Sequence, residues 1–277
     1  MSRAHAVLAA ALILPCACDA IGPGDGSNVA IRFAAVSSPG AAPAGAVSTA
    51  AGEFIVEGSN GTLVLSEVHI IVDEFELERV DDACTAKDDI RSSASSDDDE
   101  RGDDDEDECE EFTAGPLFVG LDLGGEVPVV AQSVPAGTYT GLEFKVEDLE
   151  FDDDDDDHSA AEAQALLQTI LGAGFEEWPS KASLAVSGTW TPAGGSPQAF
   201  TSFFEAELKI RQRFDPPLTL EGEPSTITVE VDPSLWFRVP NGLVRDLSLL
   251  DFDLTGRVFQ LDVRLDAGFR GVRHDRD

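Results

Sequence analysis

Basic side chains are scarce in this chain: 18 lysines and arginines stand against 54 aspartates and glutamates, for a formal net charge of -36. The bases do not cluster, and phosphate backbones are held by clustered Lys and Arg, so nucleic acid is excluded as a partner. The motifs of hydrolytic and nucleotide chemistry are also missing. There is no Gly-x-Ser-x-Gly, no His-Glu-x-x-His, and no phosphate-cradling or dinucleotide-binding glycine pattern. Histidine is nearly absent, and none of His69, His158 and His274 is paired in sequence with a candidate nucleophile. Runs of exposed aspartate make poor glycosidase acid and base pairs, which need partly buried carboxylates at a set separation. These gaps point away from an enzyme.

No apolar run is long enough to span a bilayer as a helix. Met1-Ser2-Arg3, the apolar run Ala6 to Leu14 and then Pro15-Cys16-Ala17-Cys18 instead form a short signal peptide over residues 1–18. Bacterial lipoprotein signals place a small residue before an acylated cysteine, and Ala17-Cys18 matches that feature. Pro15 and Cys16 depart from it, standing where an aliphatic and a small residue are usual. Lipidation at Cys18 is therefore the expectation, with simple secretion as the alternative. Gly22, Pro23, Gly24 and Gly26 make residues 19–27 a flexible tether. The expected place is the bacterial cell envelope, held to a membrane through a lipid anchor.

Cysteines number only four, and Cys84 and Cys109 bracket an acidic run. Export to an oxidising compartment predicts a disulfide between them. Closing that loop would remove about 3 to 4 kcal/mol of unfolded-state freedom in the chain-entropy model. Two cysteines without a nearby histidine fall short of the four ligands that zinc wants.

What the chain has in quantity is strand pattern. From Asn28 onward, runs of alternating apolar residues are separated by turn residues, which predicts an all-β fold, an antiparallel β-sandwich with one short inserted helix, over residues 28–267. A division into two sub-domains would fall near 159–180, and 268–277 reads as a frayed tail. Asn60-Gly61 predicts a tight hairpin between Phe54 to Glu57 and Thr62 to Val72. In the second of those strands Val64, Val68, Ile70 and Val72 hold even positions, whereas Phe75 and Leu77 hold odd ones. The change of phase predicts a β-bulge at Asp73-Glu74. A similar change from Leu142, Phe144 and Val146 to Leu149 and Phe151 predicts a second bulge at Glu147-Asp148. Ser159-Ala160-Ala161-Glu162 is a capping box that opens a helix with Ala163, Leu166, Leu167, Ile170 and Leu171 on one face, stopped by Gly172 and Gly174. A long strand is expected from Phe200 to Phe214.

Leu117 to Leu123, Val127 to Ser133 and Thr138 to Phe151 read as a meander. Its segment Ser133-Val134-Pro135-Ala136-Gly137-Thr138-Tyr139 resembles the hairpin of an uncharacterised family of bacterial lipoproteins, a domain of unknown function with a sandwich-like strand pattern. Leu121-Asp122-Leu123 and Val229-Glu230-Val231-Asp232 fall in corresponding places. The resemblance covers about a third of the chain and implies no enzymatic activity, and long acidic runs are not part of the family's general pattern.

The acids themselves are concentrated. Asp97 to Glu111 holds 12 carboxylates against Arg101 alone, and Glu147 to Asp157 holds 9 with no base. Aspartates on one side of an extended chain sit about 7 Å apart and repel by about 0.6 kcal/mol per pair even in water. A hard divalent cation relieves that repulsion, and exported modules bind calcium at about 0.1 to 1 mM. The candidate ligands are Asp97, Asp98, Asp99, Asp103, Asp104, Asp105 and Asp107 in the first run. In the second they are Glu150, Asp152, Asp153, Asp154, Asp155, Asp156 and Asp157. Neither run has the spacing of an EF-hand or of a calcium-binding nonapeptide, so a solvated loop and a dock for a basic partner stand beside calcium. If the two preceding strands ran in the same direction, both runs would share one rim and one site. A carbohydrate platform of Trp178, Trp190 and Trp236 is the alternative function.

Overall fold

The computed structural model describes residues 26–37, 46–48, 52–79, 112–124, 130–149, 160–261 and 268–276. Cys18, Cys84, Cys109 and all fourteen candidate calcium ligands lie outside these residues. Most of what is described is strand. The first half holds β1 (Gly26–Ala35), β2 (Ala46–Ser48), β3 (Phe54–Gly58), β4 (Gly61–Arg79), β5 (Phe112–Ala114), β6 (Leu117–Asp122), β7 (Val130–Pro135) and β8 (Gly137–Val146). After helix α1 (Ala160–Gly172) come β9 (Leu184–Pro192), β10 (Gln198–Glu205), β11 (Leu208–Leu220) and β12 (Ser225–Val231). The remainder comprises α2 (Ser234–Phe237), β13 (Arg238–Val239), β14 (Leu243–Val244), α3 (Phe252–Thr255), β15 (Phe259–Gln260) and β16 (Phe269–Arg276).

The expected mostly-β fold is present, but the sheet is mixed, not purely antiparallel. Among the described residues fourteen strands join one sheet, and β13 with β14 forms a separate ribbon. β1 runs parallel to both β6 and β12, and β10 runs parallel to β15. Parallel neighbours need long crossovers, and here they come from distant parts of the chain, so no local signal announces them. One apolar core fills the folded sheet. Val29, Ile31 and Phe33 of β1 and Ile227, Val229 and Val231 of β12 are buried together with Phe75 and Leu77 of β4 and Leu142 and Phe144 of β8. Phe33 meets Phe144 edge-on at 5.5 Å.

β4 organises the sheet, pairing with β3, β5, β6, β8 and β9. Its turn from β3 is the expected hairpin, with Gly58 opposite Gly61. Asn60 in that turn also holds the ribbon, donating from Nδ2 to the Val244 carbonyl at 2.8 Å and accepting from its N–H at 2.9 Å. The β4 register shifts three times: Ser66 is an extra residue against β9, Asp73 is an extra residue against β8, and Thr140 of β8 is an extra residue opposite Glu78 and Arg79. The core face is therefore Leu63 and Leu65, then Val68, Ile70 and Val72, then Phe75 and Leu77. The bulge expected at Asp73 is present. The one at Ser66 exchanges Val64 for its two leucine neighbours on the core face. Gly115 lies against the Asp73 bulge, where an added Cβ would stand 2.1 Å from the Asp73 carbonyl oxygen.

Several local expectations are corrected. β8 stops at Val146, so no bulge forms at Glu147-Asp148, and Leu149 packs instead with Ile71, Leu166 and Ile170 beneath α1. The strand expected from Phe200 to Phe214 breaks at Ala206-Glu207, where it passes from pairing with β9 to pairing with β8. The meander does not form, since β7 pairs with β1 while β8 pairs with β4 and β11. The connection is a corner, secured by the buried Tyr139, whose hydroxyl donates to the Pro135 carbonyl at 2.7 Å. Gly26 and Ser27, read as tether, begin β1, and the stretch read as a frayed tail is β16, paired along β12. The inserted helix is present, with Ala163, Leu166 and Ile170 buried and Leu171 exposed. Two further one-turn helices, α2 and α3, accompany it.

Candidate functional site

The strands that lead to the acidic runs are direct neighbours and antiparallel. Val72 faces Val146, Leu77 faces Leu142, and Arg79 faces Tyr139. β4 therefore ends beside the start of β8, and β8 ends seven residues further along, about 23 Å away at 3.3 Å per residue. The parallel strand arrangement on which one shared rim depended is therefore absent.

At each end the described carboxylates meet bases of the protein. Beside the end of β8, Lys145 Nζ lies 2.6 Å from Glu147 Oε2 and 3.7 Å from Asp73 Oδ2. Toward the end of β4, Arg211 Nε lies 3.5 Å from Glu78 Oε1. Between them Glu143, with only 3% of its side chain exposed, is bonded by both Lys209 and Arg211. Burial, the largest single influence, pushes the Glu143 carboxyl up, but the hydrogen bonds and charges of Lys209 and Arg211 together outweigh it. The net result lies below the usual glutamate value of 4.5.

A concave site is present elsewhere, on the outer face of β4, β9 and β10. It is an open cleft of about 860 Å³ between the loop after α1 and the helix α3. Glu67 of β4, Glu176 and Glu177 of the loop and Asp253 of α3 supply four carboxylates, and among the described residues no lysine or arginine lines the cleft. Phe175, Phe203 and Phe252 form its apolar part, with Phe203 meeting Phe252 edge-on at 5.1 Å. Ser187 and Thr201 add hydroxyls, 3.0 Å from one another. Behind Phe175, His69 is stacked on Phe118 at 5.0 Å, and burial lowers its pKa against the opposing pull of Glu67. Among the described residues no group of three His, Cys, Asp or Glu side chains is placed to hold a metal ion.

The tryptophans do not make a sugar platform. Trp190 and Trp236 are buried in the main core. Trp178 is half-buried, edge-on to Phe118 and Phe203, with its indole N–H donated to the Ala182 carbonyl at 2.7 Å. The residues missed in the sequence are Glu67, Glu176, Glu177, Phe252 and Asp253. Phe175-Glu176-Glu177-Trp178, acids between aromatics after a helix stop, was the available signal. No family model matches the chain, and no curated protein matches it. Among solved structures, MbnP from Methylosinus trichosporium is similar over 76% of this chain and 77% of its own, at 14% identity and a TM-score of 0.33.

Proposed function

We propose that the chain is an exported, lipid-anchored binding module of sandwich type whose two acidic segments each take up divalent cations such as calcium, independently of one another. The supporting observation is a contrast in charge compensation. Glu143, Glu147 and Glu78, on or beside the ordered strands, are each met by a lysine or arginine. The segments themselves bring 12 carboxylates with one arginine and, from Glu150 to Asp157, seven carboxylates with no base. Within the segments themselves the carboxylates far outnumber the bases, which favours uptake of cations from solution. The buried tryptophans leave no comparable support for carbohydrate binding.

Calorimetric titration of the mature protein with calcium should show binding at about 0.1 to 1 mM. Heat that is unchanged when both runs are replaced by asparagine would end the proposal. Mass spectrometry of unreduced protein from the membrane fraction tests the anchor and the compartment together. It should find an acylated Cys18 and a Cys84 to Cys109 bridge. An unmodified N-terminal peptide, with Cys18→Ser still in the membrane fraction, would rule out lipidation, and two free thiols would rule out the bridge.

A further inference from the structure

The open cleft between the loop after α1 and α3 is built from residues other than those of the acidic segments, and we infer that it docks a basic, partly apolar polypeptide segment of a partner protein. Four carboxylates on three separate elements surround it, while Phe175, Phe203 and Phe252 supply apolar wall. The spacing of the acids decides against a metal ion. Glu67 comes from β4, Glu176 and Glu177 from the loop after α1, and Asp253 from α3, and no three of the described acids converge on one point. Charges spread over three separate elements suit a ligand that carries several cationic groups along its length. Arginine fits best, because its guanidinium pairs with carboxylates and stacks on aromatic faces while its stem covers apolar surface. His69 does not offset the negative charge, since burial favours its neutral form.

The apolar half of the ligand has its own surface. Leu254, next to Asp253, is 78% exposed, and Leu171, at the end of the helix just before the lining residues Ala173 and Gly174, is 37% exposed. The proposal seats the apolar part of the partner on Leu254, which follows the cleft residue Asp253 in the chain.

The test uses mature protein and a short labelled peptide alternating arginine with leucine, at physiological salt, where the Debye length of about 8 Å suppresses distant attraction. Binding should weaken about tenfold, or 1.4 kcal/mol, when Glu176→Gln, Glu177→Gln and Asp253→Asn are combined. Replacing Asp152 to Asp157 with asparagine should change it less than about twofold. Leu254→Ser, at an exposed position that leaves folding intact, should remove the preference over an arginine and serine peptide. The proposal fails if affinity follows the aspartate run, or if the serine peptide binds wild type equally well. It also fails if Cys18→Ser protein sediments with neutral phospholipid vesicles and Leu254→Ser abolishes this, which would assign the rim to a membrane.

Discussion

At Glu143 burial and pairing pull in opposite directions, and the outcome sets a pH dependence. The side chain stands across from Glu76 on one neighbour and from Arg211 on the other, and Lys209 closes over it. Because its folded pKa is depressed, the stabilisation is fully present above the unfolded value of 4.5 and is lost as pH falls through the lower folded value. Glu143→Gln should therefore cost about 1 to 2 kcal/mol at pH 7, reduced from that of a fully buried pair because Lys209 and Arg211 remain largely in water. Denaturant unfolding at pH 7 and pH 3 checks this. The gap between variant and wild type should shrink at the lower pH, and an equal gap at both would show that the carboxylate charge is irrelevant.

Among the elements, β16 separates packing from sequence pattern most clearly. Its residues alternate weakly and carry three charges between Phe269 and Asp275, so nothing local marks them as strand. Pairing along β12 makes the strand, and Phe269 secures it against Phe144 at 5.1 Å and Trp236 at 6.1 Å. Gly268 just before it lies so close to Trp236 that a Cβ would stand 2.0 Å from Nε1. Removing residues 269–277 should destabilise the fold by about 3 to 5 kcal/mol, the range for loss of a packed phenylalanine. Thermal unfolding would reveal a true tail by showing no change. The features legible beforehand were short-range ones. The Asn60 turn, the Asp73 bulge and the buried stripe of α1 each follow from the period of side chains within one segment. The parallel pairs of β1, the passage of the chain from β9 to β8 at Ala206, and the destination of β7 depend on partners far away in sequence. The cleft was illegible for the same reason, since its acids come from positions as far apart as Glu67 and Asp253.

Over the whole molecule the net charge of -36 is unevenly spread: the two acidic segments hold 21 carboxylates and one arginine, and the rest of the chain holds 33 carboxylates against 17 bases. The antiparallel pairing of β4 with β8 puts the ends of the two strands that lead toward these segments at opposite ends of the strand pair. Charges at two strand ends about 23 Å apart, several Debye lengths in physiological salt, are screened from one another. Cation binding at one segment is thus expected to be independent of the other, and each should raise the melting temperature by mass action on the native state. The most direct test is the calcium-induced shift in melting temperature of four proteins: wild type, each run replaced separately by asparagine, and both runs replaced. Independent sites predict that each replacement removes its own share, that the two shares add up to the wild-type shift, and that the double replacement shows none. Loss of the entire shift on replacing a single run, or a full shift surviving in the double replacement, would contradict the account.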